Sequence, residues 1–254
     1  MVRGVQVFDP TVLRRPGGAG LRPLAGRTVL GVGRRGKLVV VEFSGGLSLL
    51  FHLKMTGRLF LCPPGSSRNK YTRLAISFSD PGPELRFSDV RKFGFALLLA
   101  AAEAGLAPEL SRLGPEPLSL GLAEFRSAFT GRRGGIKARL LDQGIVAGIG
   151  NIYADEILFE ARVHPETDVA RLPDSAWPRL WAASRAVLRR AIRHHGTTFR
   201  DFRDGDGEPG GFQNRLRVYG REGLACTRCG AAVRLSRVAG RGTRYCPRCQ
   251  RRRT

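Results

Sequence analysis

The chain ends in two closely paired thiols, Cys226-Thr-Arg-Cys229 and Cys246-Pro-Arg-Cys249, with sixteen residues between the pairs. This spacing limits the possible folds more than any other feature. A tail of about forty residues buries too little apolar surface to fold alone, whereas four thiolates at the corners of a tetrahedron suit Zn²⁺, which has no d-electron preference. Redox dithiols or two disulfides are the competing readings. The opening "MVRGVQVF" lacks the apolar core and cleavage site of a signal peptide, and no apolar run is long enough to span a bilayer. A cytosolic chain is therefore expected, where paired cysteines bind metal rather than form a disulfide framework. One structural Zn²⁺ is expected on Cys226, Cys229, Cys246 and Cys249, with Cys62, beside Pro63 and Pro64, left as a buried or loop thiol.

Lys and Arg outnumber Asp and Glu by 43 to 21, giving a formal net charge of +22. Such a field suits a polyanion. A bland source competes with it, because only five of the basic residues are Lys and the Arg, Ala, Gly and Leu excess is what a GC-rich genome produces. Placement therefore matters more than the total. Arg234, Arg237, Arg241 and Arg244 fall between the cysteine pairs, on what should be a hairpin, and would make a basic finger for a phosphate backbone or simply a solvated face.

With 42% hydrophobic residues the chain can bury a core for one large or two ordinary domains, and wholesale disorder is excluded. Residues 1–103 alternate short β-like runs ("VRGVQVF", "KLVVVEF", "LSLLFHLKM", "GRLFLC", "YTRLAISFS", "ELRFSD", "FGFALLL") with Gly and Pro breaks, as an antiparallel sandwich or barrel does. An Ala- and Pro-rich stretch, 104–118, reads as a connection. Helical periods follow over 119–211. Trp177, Leu180, Trp181, Ser184, Val187, Leu188, Ala191 and Ile192 recur at helical steps, with a start at Asp174 or Ser175 and a stop at Gly196. A Gly-rich loop, 203–213, is expected to be flexible, and 212–254 carries the cysteine hairpin. The fold class is α+β.

A helical piece at 119–130 precedes "GIKARLLDQGIVAGIGNIYADEILFEARVHP", in which a second at 137–142 leads to a tight Gly turn and a third helix starting near Asn151. Gly148 and Gly150 allow close backbone approach, and a helix start offers unpaired N–H groups with partial positive charge, where a phosphate fits. Asn151 can add an amide donor and Lys137 a full charge.

This segment closely resembles the helix–two-turn–helix of the formamidopyrimidine-DNA glycosylase / endonuclease VIII family, and the cysteine hairpin resembles that family's C-terminal zinc finger. "RRGKLVVVEF", "FHLKMTGRL", "DVRKFGF", "LGPEPL", "GTTFRDF" and "QNRLRVYGREGLAC" extend the resemblance over nearly the whole chain and favour the formamidopyrimidine branch. The resemblance implies a bilobal enzyme that grips damaged double-stranded DNA between a β-sandwich and a helical domain and turns an oxidised purine out of the stack. Extrusion costs stacking and pairing, so side chains fill the vacated space. By the family pattern these are Met55, Arg91 and Phe93, suited as an adaptable apolar filler, a hydrogen-bonding cation and an apolar wedge. Without the family, Met55 and Phe93 read as sandwich core.

The same resemblance implies that Lys37 contacts DNA beside the reacting sugar. It makes Asn151 and Arg241 phosphate clamps and places Glu156 near the catalytic end; on spacing alone Glu156 is an ordinary first-turn carboxylate. Glu208 and Gly211 stand where relatives often carry Lys and Tyr, so no base-binding role is assigned there. The family's nucleophile is the proline of an N-terminal Pro-Glu, which attacks the anomeric carbon, forms a Schiff base and leads to strand cleavage. Here "MVRGVQVF" matches the first strand after that opening helix, so the Pro-Glu pair is expected to be missing from these residues, with little or no glycosylase activity. Either the written start lies downstream of the true one, or the gene encodes a lesion-binding remnant. The expected activity by family is a bifunctional glycosylase and abasic-site lyase of base excision repair. The alternative is a non-catalytic, zinc-dependent binder of damaged DNA, and a generic zinc-ribbon RNA or transcription partner leaves the β-rich half unexplained. A bacterial, cytoplasmic, nucleoid-associated monomer without membrane attachment completes the expectation.

Overall fold

The computed structural model describes residues 1–14, 20–79, 82–199, 203 and 207–252. The chain divides into two compact units, Met1–Ser111 with Thr197–Gly210, and Arg112–Gly196 with Gly211–Thr254.

The first unit is a β-sandwich. Its strands are β1 (Val2–Val7), β2 (Val29–Arg35), β3 (Leu38–Phe43), β4 (Leu47–His52), β5 (Gly57–Cys62), β6 (Thr72–Phe78), β7 (Glu84–Asp89) and β8 (Phe95–Ala100). They form two antiparallel sheets, in the orders β1-β6-β7-β5 and β2-β3-β4-β8. Both sheets contribute to one apolar core that includes Val41, Phe43, Phe51, Leu74, Ile76 and Phe87. The Phe51 and Phe87 rings meet at 5.6 Å between centroids. Truncating either ring to Ala would cost about 3–5 kcal/mol.

One strand, β2, escapes the sequence reading. Gly31 and Gly33 interrupt its apolar alternation, and Leu30 and Val32 are exposed, so it carries little of the two-residue signature of a half-buried strand. Two short helices, α1 (Ala101–Ala104) and α2 (Pro108–Ser111), follow β8. The expected connection over 104–118 therefore includes helix. Its later part packs within the second unit: Gly114 N donates to Gln143 O at 2.8 Å, and Pro115 O accepts from Ala147 N at 3.0 Å. A Cβ on Gly114 would lie 2.5 Å from the Ile145 carbonyl oxygen.

The second unit contains α3 (Leu122–Ala128), α4 (Ile136–Leu141), α5 (Asn151–Ala161), α6 (Ala176–Arg193) and the hairpin strands β9 (Arg234–Val238) and β10 (Arg241–Tyr245). α6 is amphipathic as its period requires, burying Trp177, Leu180, Ser184, Val187 and Ala191. Ile192 departs from the expected buried face and is exposed. α5 is buried on nearly every side, including Asp155 and Glu156. Two carboxylates in a buried helix need partners, and those partners organise the site. Of the expected flexible loop, residues 204–206 lie outside the described residues, while Phe212–Arg215 forms a 3₁₀ turn with Phe212 buried.

Candidate nucleic-acid interface and zinc centre

The four sulfur atoms of Cys226, Cys229, Cys246 and Cys249 all lie within 4.8 Å of one another. The Cys229–Cys246 and Cys226–Cys249 sulfurs are 3.4 and 3.9 Å apart. A tetrahedron with Zn–S bonds of about 2.3 Å requires sulfur–sulfur distances of about 3.8 Å. Backbone N–H groups of Arg228 and Cys249 point at the Cys226 and Cys246 sulfurs, each at 3.4 Å, as thiolate ligands favour. The residues fit one structural Zn²⁺, which supplies folding free energy to the hairpin when bound. Cys62 stands apart, its Sγ donating to Glu84 O at 3.4 Å, with burial raising its pKa.

α5 supports this finger along its length. Near its C-terminal end, Phe159 packs with Val218, Val233, Cys226 and Cys246, and Arg228 donates to Phe159 O at 3.0 Å. Gln250 locks the end of the finger, accepting from Cys246 N and donating to Val163 O, both at 2.9 Å. In the middle of the helix, the Glu156 carboxylate accepts four hydrogen bonds from the backbone N–H groups of Arg217, Val218 and Tyr219, at 2.9–3.1 Å. Burial pushes its pKa up against those bonds. This corrects the expectation of a catalytic role: Glu156 is only 4% exposed, and its oxygens are occupied in holding the segment that enters the zinc finger.

Lys137 requires a second correction. The sequence leads one to expect its charge at a phosphate, yet it is 0% exposed. Its Nζ pairs with Asp155 Oδ1 at 2.7 Å and donates to Gly242 O at 3.1 Å and Thr243 Oγ1 at 2.8 Å. Asp155 Oδ2 also accepts from Arg244 N at 2.9 Å. Burial dominates both pKa shifts, lowering that of Lys137 and raising that of Asp155. The pair fastens β10 to α4 and α5 instead of meeting solvent.

Asn151 opens α5 behind Gly150, which provides no side-chain cap. A helix start turns its first backbone N–H groups outward, beyond the intrahelical carbonyls. The preceding turn requires Gly148, whose φ of +91° is a left-handed conformation that side chains disfavour. Asn151 Nδ2 donates to Gly242 O at 3.2 Å, the same carbonyl that Lys137 reaches. Arg241, one residue earlier at the start of β10, is exposed. Asn151, Lys137 and Arg241 thus converge on one end of the hairpin, with Lys137 as its internal fastening.

In the first unit, Met55 is 65% and Phe93 53% exposed, which contradicts the alternative reading of both as sandwich core. The Arg91 guanidinium lies 4.6 Å from the Phe93 ring centroid. Lys37 sits in the turn between β2 and β3 and is exposed. The Val2 nitrogen donates to Arg27 O at 2.7 Å and Val2 is buried. Nothing in the sequence marked Asp155 or the 217–219 backbone; a carboxylate inside an apolar helix pattern was the available signal.

Three family models match. The formamidopyrimidine-DNA glycosylase N-terminal domain covers residues 1–96, the formamidopyrimidine-DNA glycosylase H2TH domain 113–203, and the zinc finger found in FPG and IleRS 223–252. The formamidopyrimidine-DNA glycosylase of Desulforamulus reducens is 41% identical over 99% of this chain and 92% of its own length. That of Heliobacterium modesticaldum is 43% identical over 90% of this chain and 84% of its own. Among solved structures, Lactococcus lactis Fpg in complex with Fapy-dG-containing DNA superposes with a TM-score of 0.89 at 34% identity, covering 99% of this chain and 92% of that one. The same enzyme with abasic-site DNA gives 0.89 at 33% identity, over 99% and 92%. No helix among the described residues is long and apolar enough to cross a membrane. With profile matches in both units, full-length relatives near 40% identity and a zinc-binding thiol quartet, the chain belongs to the formamidopyrimidine-DNA glycosylase family of DNA repair enzymes.

Proposed function

We propose that this chain serves base excision repair as a zinc-bound monomer on damaged duplex DNA, in the bacterial cytoplasm on the nucleoid, with removal of oxidised purines such as formamidopyrimidine and 8-oxoguanine and cleavage at the abasic site as its family's reaction, although Val2 and Arg3 stand at positions 2 and 3 where that reaction uses Pro and Glu. The observation that carries this reading is the projection of Met55 and Phe93 into solvent with Arg91 lying on the Phe93 ring. Large apolar side chains so exposed, capped by a cation, suit the space left by an extruded base and the polar edge of its estranged partner. Fapy-dG and abasic-site DNA in the matched complexes support the substrate class. Arg241, the Asn151 amide and Lys37 are the groups proposed to meet the sugar-phosphate backbone. Such contacts position the duplex without reading its sequence.

A second reading, damage-selective binding without base removal, needs only the exposed Met55, Arg91 and Phe93, which can fill a lesion site without any nucleophile. Borohydride trapping of the zinc-loaded chain on 8-oxoguanine and abasic duplexes separates the two. Base loss with a covalent adduct supports the enzyme, and a Lys37→Ala arm on abasic DNA asks whether that amine forms it. Selective binding without adduct supports the binder. Equal affinity for damaged and intact duplex, with no adduct, contradicts both.

A further inference from the structure

The two turns that carry Met55, Arg91 and Phe93 lie on separate stretches of chain, yet one buried carboxylate joins them. Asp89, at the end of β7, is 0% exposed. Its Oδ1 accepts from the Thr56 hydroxyl and from Arg91 N at 3.2 Å, and its Oδ2 accepts from Gly94 N at 2.7 Å. Thr56 Oγ1 in turn accepts from Arg91 N at 3.1 Å. The carboxylate therefore holds residue 56 of one turn and residues 91 and 94 of the other. Bonds to a charged acceptor in a dry site are the stronger kind.

The backbone beside each exposed residue gives an independent reason to look here. Lys54, just before Met55, has φ +51°, and Lys92, between Arg91 and Phe93, has φ +56°. Non-glycine residues in this region cost free energy and persist where the surroundings over-determine them. Each is held from outside the turn's own backbone: Lys54 N donates to His52 Nδ1 at 3.0 Å, and Lys92 Nζ pairs with Asp9 Oδ2 at 2.8 Å. Space is also fully used. A Cβ on Gly94 would sit 2.8 Å from both His52 O and the Phe87 ring and 3.1 Å from Asp89 Oδ2, and one on Gly57 would sit 2.4 Å from Leu53 O.

We infer that Asp89, with Thr56, is a positioning residue that clasps the two turns into one preorganised wedge, so that Met55, Arg91 and Phe93 enter a vacated base site together. This rests on the function proposed above. Asp89 itself touches no DNA. Its contribution is to remove, before binding, the freedom that two independent loops would otherwise lose on insertion.

Wild type, Asp89→Asn, Thr56→Val and the conservative Thr56→Ser are compared as zinc-loaded full chains. Amide hydrogen exchange of the free protein reads the clasp alone. The fluorescence of 2-aminopurine opposite a tetrahydrofuran abasic analogue reads insertion, and the affinity ratio for abasic over intact duplex reads discrimination. Asp89→Asn is expected to raise exchange at the Arg91 and Gly94 amides and to lower the ratio about tenfold, with the 2-aminopurine signal falling in parallel. Thr56→Val shifts Arg91 exchange and the ratio in the same direction, and Thr56→Ser stays close to wild type. If Asp89→Asn does not fold, Thr56→Val decides. Unchanged exchange in the folded variants overturns the clasp, and faster exchange with the ratio intact overturns the positioning role alone. A wild type without preference for the abasic duplex overturns the functional reading, and the positioning role with it.

Discussion

Lys37, Met55, Arg91 and Phe93 of the first unit are exposed, whereas Lys137 and Glu156 of the second are buried against backbone they hold in place. In the sandwich, Met55, Arg91 and Phe93 project outward from turns pinned by a buried carboxylate, Asp89. In the helical unit, Lys137 and Glu156 are themselves the pins, and the outward group is Arg241 on the hairpin they secure. The difference follows from the cores. The sandwich closes on its own apolar cluster of Val, Leu, Ile and Phe, while the finger packs a smaller cluster, with Phe159, Val218 and Val233 beside its cysteines, and relies on metal and buried polar bonds. A basic residue near a helix start is thus weak evidence of phosphate contact until its burial is known.

Zinc removal should break the comparison most severely. Structural zinc contributes on the order of 10 kcal/mol or more to small cysteine domains. Chelation, or Cys246→Ser, is expected to abolish exchange protection in β9 and β10 while β3, β4 and β8 remain protected. Persistent protection in the hairpin would show that its polar bonds suffice without the metal.

Next in size is the buried pair. Lys137→Met leaves Asp155 in an apolar helix without its cation, a loss of about 3–5 kcal/mol. Both tryptophans, Trp177 and Trp181, lie in α6, so their fluorescence during urea denaturation reports the second unit. Lys137→Met/Asp155→Leu is expected to lose less than the sum of the single losses, as coupled sites do. Additive losses would mean the two side chains act separately. Glu156→Gln should follow at about 1–3 kcal/mol, since an amide retains one acceptor oxygen for N–H groups that now meet a carboxylate.

These assignments divide by how local their cause is. The zinc quartet was legible because its spacing lies within the cysteine hairpin, and α6 because its period repeats over five turns. The glycine-led start of α5 was legible for the same reason, as Gly148, Gly150 and Asn151 are neighbours. The burial of Lys137 has no local sequence signal, because its acceptors, Gly242 and Thr243, are more than a hundred residues away in sequence and only the fold brings them together. Asp89 lacks a local signal on the same ground, its hydroxyl partner lying 33 residues earlier. The sandwich class was readable from alternation, but β2, with glycines at two positions and apolar side chains facing outward, was not.

A smaller effect concerns pH in the first unit. Burial, reinforced by Lys54, Lys37 and Arg14, lowers the His52 pKa from 6.5 to about 4. The folded state therefore keeps the imidazole neutral, as its Nδ1 must be to accept from Lys54 N. The unfolded chain takes up the proton first, so this contribution is complete above pH 6.5 and is lost as pH falls toward 4. Urea midpoints followed by exchange at β4 should decline over that window, and His52→Gln should flatten the decline. A wild-type midpoint constant from pH 7 to 4 would contradict the assignment.

The division of labour between the units is tested most directly by the salt dependence of affinity for abasic and intact duplexes in wild type, Arg241→Ala and Phe93→Ala. Arg241→Ala should weaken both duplexes alike and reduce the slope of log K against log salt by about one, as loss of a phosphate contact does. Phe93→Ala should leave that slope unchanged and collapse the preference for the abasic duplex. If both variants shift both duplexes by the same factor and slope, the two regions do not perform separate tasks and the account is wrong.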